Sequence, residues 1–84
     1  MPKVKIYTST VCPYCTRAKM LLQQKGIAYE EINIEKDSAA RETMLEKSNG
    51  ARTVPQIFIG DKHIGGSDDL YALEQSGELD KILQ

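Results

Sequence analysis

Apolar and polar residues alternate along Val4–Thr8, and the stretch is rich in β-formers, which predicts a first strand there. After a short loop at residues 9–12 the period lengthens. Cys15, Ala18, Leu21 and Leu22 recur at helical spacing and predict a helix over residues 13–25. Pro13 suits the first helical position, where its missing N–H is not needed, and Gly26 reads as the C-terminal stop. Residues 28–34 read as a second strand. Asp37 or Ser38 can cap a second helix running to about residue 47, with a thin apolar stripe of Ala40, Met44 and Leu45 and with Asn49-Gly50 as its stop.

Gln56-Ile57-Phe58-Ile59 forms a third strand, directly after Pro55. Gly60-Asp61, with glycine first, fits a two-residue type II′ hairpin turn into a short fourth strand at residues 62–64. Gly65-Gly66 breaks that strand. Ser67 can cap a third helix, with Asp68 and Asp69 in a first turn where negative charge suits the helix dipole. Gly77 interrupts this helix, and Leu79, Ile82 and Leu83 make a last apolar turn. The order is β-α-β-α-β-β-α. It predicts an α/β fold with a four-stranded mixed sheet flanked by three helices. The first βαβ unit should be parallel and right-handed, and strands three and four an antiparallel hairpin.

Composition adds bounds. The chain has 84 residues, 40% hydrophobic and 27% charged, with a net charge of −1, which suits one ordinary globular domain spanning residues 1–84. Charges of both signs are interspersed, so neither nucleic acid nor a membrane surface is expected as a partner. No apolar run approaches the ~18 residues of a membrane span. The N-terminus enters the first strand without an apolar signal core, so a cytoplasmic location is expected. Thiols there are normally reduced, and a cysteine pair is more often catalytic or metal-binding than structural.

Both cysteines of the chain fall in Cys12-Pro13-Tyr14-Cys15. Cys12 sits at the start of the first helix and Cys15 one turn in, so the i, i+3 spacing permits a disulfide between them. Cys15 shares the core stripe and should lean inward, while Cys12 stays at the exposed end. Free N–H groups and partial positive charge at a helix start favour an anion, and so favour the nucleophilic thiolate of Cys12. Arg17 and Lys19 add positive charge nearby. A structural disulfide closing so short a loop would constrain the unfolded chain little. A zinc site needs four ligands, and the only histidine, His63, stands apart in a short edge strand, so no metal is expected. Redox chemistry is the reading that accounts for the placement.

Cys12-Pro13-Tyr14-Cys15, Arg52-Thr53-Val54-Pro55 and Gly65-Gly66-Ser67-Asp68-Asp69-Leu70 together resemble a glutaredoxin of the dithiol class. The resemblance implies the thioredoxin fold, a cis-proline at Pro55 beside the thiols, and glutathione as co-substrate. It implies a glutathione groove lined by Tyr14, Thr53, Val54, Pro55, Ser67 and Asp68. Val54 would offer backbone hydrogen bonds, as an added strand would use them. Ser67 and Asp68 would hold the γ-glutamyl end. Asp69 can share that role, and Arg52 and Gln56 are candidates for the glycyl carboxylate. The chain departs from the family pattern at Ser9, where many relatives carry lysine, and at Ser67, where many carry a third cysteine.

The implied activity is glutathione-dependent thiol–disulfide exchange on protein disulfides and glutathionylated proteins. Cys12 is the expected nucleophile, Cys15 the resolving thiol, and the protein a monomer. Two alternatives stay open: a thioredoxin-type reductase, and a module that bridges an iron–sulfur cluster between two protomers. Val11 and Pro13-Tyr14, in place of the Trp and Gly-Pro usual in thioredoxins, oppose the first. The rigid proline and the second thiol oppose the other.

Overall fold

The computed structural model describes residues 2–83. Strand β1 (Val4–Thr8) is central, and helix α1 (Pro13–Gln24) carries the chain to β2 (Glu30–Asn33), parallel to it. Helix α2 (Ser38–Lys47) leads to β3 (Gln56–Ile59), antiparallel to β1 on its other side, and β4 (Lys62–Gly65) completes the sheet in the order β2-β1-β3-β4. Helices α3 (Ser67–Ser76) and α4 (Glu78–Leu83) follow.

The sheet buries both faces. Val4, Ile6, Ile57 and Ile59 pack with Ala18, Leu21 and Leu22 of α1, Leu70 of α3, and Leu79 and Leu83 of α4. On the opposite face Tyr7 and Phe58 meet only Ala40 and Met44 of α2 among the buried residues, as the thin stripe of that helix predicts. Tyr7 and Phe58 meet edge to face, with ring centroids 5.6 Å apart. Alternation along β1 therefore sends Ile6 to the larger core and Tyr7 to the smaller one.

Local signals account for most of the boundaries. Asp37 caps α2: its carboxylate accepts the N–H groups of Ala39 and Ala40 at 3.0 and 3.3 Å. Asp37→Ala should therefore cost about 1 kcal/mol, measured as a lower urea midpoint with unchanged slope. Gly60 has φ 60, and no other residue of its turn has positive φ, which is the type II′ pattern.

Three expectations are corrected. Strand β2 is four residues long, because pairing with β1 runs only from Lys5–Glu30 to Thr8–Asn33 and the preceding residues climb from α1 to the sheet. Ser67 does not cap α3. Gly66 holds the N-cap position, and the Asp69 carboxylate reaches back to accept the Gly66 N–H at 3.0 Å. Among the described residues there are also four helices rather than three. Gly77, at φ 80, ends α3 in the left-handed conformation, and the Ser76 hydroxyl accepts the Glu78 N–H at the start of α4. Lys25, at the end of α1, pins this corner with ion pairs to Glu74 (2.8 Å) and Asp80 (2.9 Å). The hydrogen bonds it donates to Glu74 and Asp80 hold its ammonium pKa above the usual lysine value.

Candidate active site

Helix α1 starts on sulfur. Cys12 occupies the N-cap position in extended conformation (φ −150, ψ 98), and its Sγ accepts the N–H of Cys15 at 3.1 Å. The sulfur therefore stands where a capping serine or aspartate would place its oxygen, facing the free donors of the helix start. The two cysteines are joined as a disulfide with Cα atoms 5.2 Å apart. Their exposures differ as the stripe predicts: Cys15 is 2% exposed, and Cys12 is half-buried. The Cys15 sulfur is thus shielded, while Cys12 faces outward beside Val11, which is 87% exposed.

The loop before Cys12 is tied to the end of β2: the Thr10 N–H donates to Glu35, and Asn33 donates to the Thr10 hydroxyl at 3.3 Å. The two cations expected near the thiol are committed elsewhere. Lys19 pairs with Glu31 at 3.1 Å. Arg17 lies over the Tyr71 ring, 5.0 Å from its centroid. Burial alone would raise the Glu31 pKa, but the hydrogen bonds from Lys19 and Thr8 outweigh it and hold the carboxyl below its usual range. The helix start, rather than a neighbouring side chain, is therefore the evident anion-favouring element at Cys12.

Pro55 follows a cis peptide bond and is buried. It carries Val54 alongside the thiol, with the Val54 carbonyl oxygen 3.8 Å from Cys12 Sγ. From there a groove of about 350 Å³ runs between this segment and the start of α3, within the size range of small-molecule sites. Tyr14, Thr53, Val54, Pro55, Gln56, Ser67, Asp68 and Asp69 line it. Arg52 is exposed and lies outside the lining. Ser67 Oγ is buried, with no hydrogen-bond partner among the described residues. Asp69 is engaged at the Gly66 N–H, and Asp68 carries no such commitment among the described residues. The Gln56 amide nitrogen donates to the Thr53 carbonyl (2.9 Å) and hydroxyl (3.3 Å).

The sequence reading missed four lining residues: Ala51, His63, Gly65 and Gly66. His63 carried a signal, since it is the only histidine and precedes Gly65-Gly66 by two positions, but only the hairpin register turns it toward the groove.

A disulfide on the first turn of a helix, beside a cis-proline that opens a strand of a β-α-β-α-β-β-α-α fold, defines a dithiol oxidoreductase of the thioredoxin fold. Comparison narrows the class. Residues 4–64 match the glutaredoxin family model. The chain is 54% identical to glutaredoxin 3 of Escherichia coli K12 over the full length of both. It superposes on the solution structure of glutaredoxin from Brucella melitensis with a TM-score of 0.85 at 53% identity, covering 99% of this chain and 89% of that one. It also superposes on a buckwheat glutaredoxin–glutathione complex with a TM-score of 0.87 at 35% identity, covering 98% of this chain and 76% of that one. The chain belongs to the glutaredoxin family and is a glutathione-dependent thiol–disulfide oxidoreductase.

Proposed function

We propose that Cys12 is the nucleophile for both protein disulfides and glutathionylated proteins, and that one 84-residue domain performs the whole cycle as a cytoplasmic monomer. The observation that carries this reading is the N-cap position of the Cys12 sulfur, exposed on one side and facing the Cys15 N–H on the other. The Cys12 thiolate attacks one sulfur of the substrate disulfide. A new S–S bond forms, the old one breaks, and the departing thiolate takes up a proton. On a glutathionylated protein the leaving group is the protein thiol, and a second glutathione thiolate then attacks the mixed disulfide to release oxidised glutathione and Cys12. On a protein disulfide, Cys15 attacks the mixed disulfide, releases the dithiol product and leaves the Cys12–Cys15 disulfide. Two glutathiones then reduce that bond.

Glutathione fits the groove by its chemistry. Its cysteinyl backbone would pair with Val54, bringing its sulfur to Cys12. Its γ-glutamyl carboxylate would meet the N–H groups at the start of α3, where the unpartnered Ser67 hydroxyl offers a further donor. Its ammonium would meet Asp68. Tyr14, Thr53 and Pro55 would wall the tripeptide in, with Asp69 holding the loop and Arg52 contributing only long-range charge from outside the groove. Asp68→Asn should raise the KM for glutathione by about 10- to 100-fold, as loss of one charged hydrogen bond implies at about 1.5–3 kcal/mol. Steady-state kinetics on a glutathionylated peptide, with kcat and Tm unchanged, is the check. An unaltered KM would remove Asp68 from the site.

A further inference from the structure

A chain of hydrogen bonds runs along the wall of the groove, from the exposed Thr53 through the buried Gln56 to the exposed His63. Gln56 is 4% exposed. Its amide nitrogen donates to the Thr53 carbonyl oxygen at 2.9 Å and to the Thr53 hydroxyl at 3.3 Å. This fixes the amide orientation, because the reversed amide would set Oε1 against the Thr53 carbonyl. Oε1 therefore faces His63 Nε2, 2.6 Å away, and accepts from it. Nε2 of His63 must carry the hydrogen. The ring is held in place by Phe58, its cross-strand partner, with centroids 4.9 Å apart and planes 31° from parallel.

We infer that His63 and Gln56 are positioning residues for glutathione: His63 orients the Gln56 amide, and the amide holds the Thr53–Val54 backbone at the height where the tripeptide pairs with it. The inference rests on the groove reading above. It gives Gln56 a role in the groove wall, and gives His63 a role in the reaction without contact with reacting atoms. The backbone beyond Thr53 has a carbonyl 3.8 Å from Cys12 Sγ, so a shift of this segment is felt at the thiol as well as at the ligand.

The test uses the full chain and glutathione itself. Long-range ¹H–¹⁵N spectra of the parent should show His63 protonated at Nε2, and an Nδ1–H tautomer would overturn the relay. His63→Phe and Gln56→Leu should each raise the KM for glutathione about fivefold, the scale of one lost neutral hydrogen bond, with kcat and Tm little changed. The double variant should lose no more than either single one, since both act through one contact. His63→Gln, which keeps a donor at the same reach, should restore most of the parent KM. Unchanged KM in His63→Phe, or additive losses in the double variant, would overturn the relay. A glutathione titration followed at the amides of Thr53 and Val54 separates the two readings. If the parent shifts there and His63→Phe shifts identically, only the relay fails. If the parent does not shift there at all, the groove assignment fails and the relay with it.

Discussion

Cys12→Ser should bring both activities to background, a loss on the order of 10³-fold or more, the scale on which removal of a nucleophile acts. Cys15→Ser should abolish reduction of protein disulfides but keep deglutathionylation. The asymmetry follows from geometry. Cys12 is the sulfur that reaches the surface, and it is the atom facing the helix-start donors. Cys15 is 2% exposed and on the core stripe, so external disulfides reach it only after Cys12 has reacted. Without Cys15 the mixed disulfide formed with a protein disulfide has no internal exit and should accumulate, visible by mass spectrometry as the substrate joined to the protein. The serine hydroxyl would be nearly buried, at a cost of about 1–3 kcal/mol if it finds no partner, so Tm is measured alongside. Retained activity in Cys12→Ser with loss in Cys15→Ser would reverse the assignment.

The second large effect is expected at a residue without a side chain. Gly65 has φ +118, and a Cβ built there would stand 2.9 Å from Asp69 Cγ and 3.1 Å from Asp69 Cβ. Asp69 cannot swing away freely, because its carboxylate holds the Gly66 N–H at the start of α3. Gly65→Ala therefore combines backbone strain of about 1–3 kcal/mol with damage to the cap. For a domain of this size the Tm should fall by about 10 °C or more. The KM for glutathione should rise, because the same helix start closes one end of the groove. Gly26→Ala is the internal control. Its φ is +71, but nothing lies within 4 Å of the added Cβ, so only the backbone cost of about 1–2 kcal/mol applies. Equal losses at the two positions would mean that the Asp69 contact contributes nothing.

Much of this protein is legible one segment at a time. The strand at Val4–Thr8, the α1 stripe, the Asp37 cap, the Gly60 turn and the cysteine pair at a helix start are all set by residues within a turn or two of one another. Each depends on local sterics, periodicity or capping, and these act over the same distance that a sequence window covers. The likeness to glutaredoxins was legible for the same reason, since each of its three motifs is contiguous. Errors arose where a local signal had two valid outcomes. Ser67 and Gly66 are both acceptable N-caps, and the contest was decided by Asp69 reaching back. Gly77 could bend a helix or end it, and the ion pairs of Lys25 with Glu74 and Asp80 tie down the ended form.

By itself the sequence determined the order of the four strands and of the first three helices, the redox-active pair, and the exposed and buried ends of that pair. The tertiary structure decided which charges are available and what shapes the groove. Lys19 and Arg17 are near Cys12 in sequence, yet Glu31 and Tyr71, from β2 and α3, take them up. Gln56 and His63 are seven residues apart on different strands, and the hairpin register brings them within 2.6 Å. The groove joins Tyr14, Thr53 and Ser67, contributed by three separate stretches of chain. The reason is physical: a side chain has more possible partners than positions in sequence can rank. The packed sheet selects one by making the others unreachable.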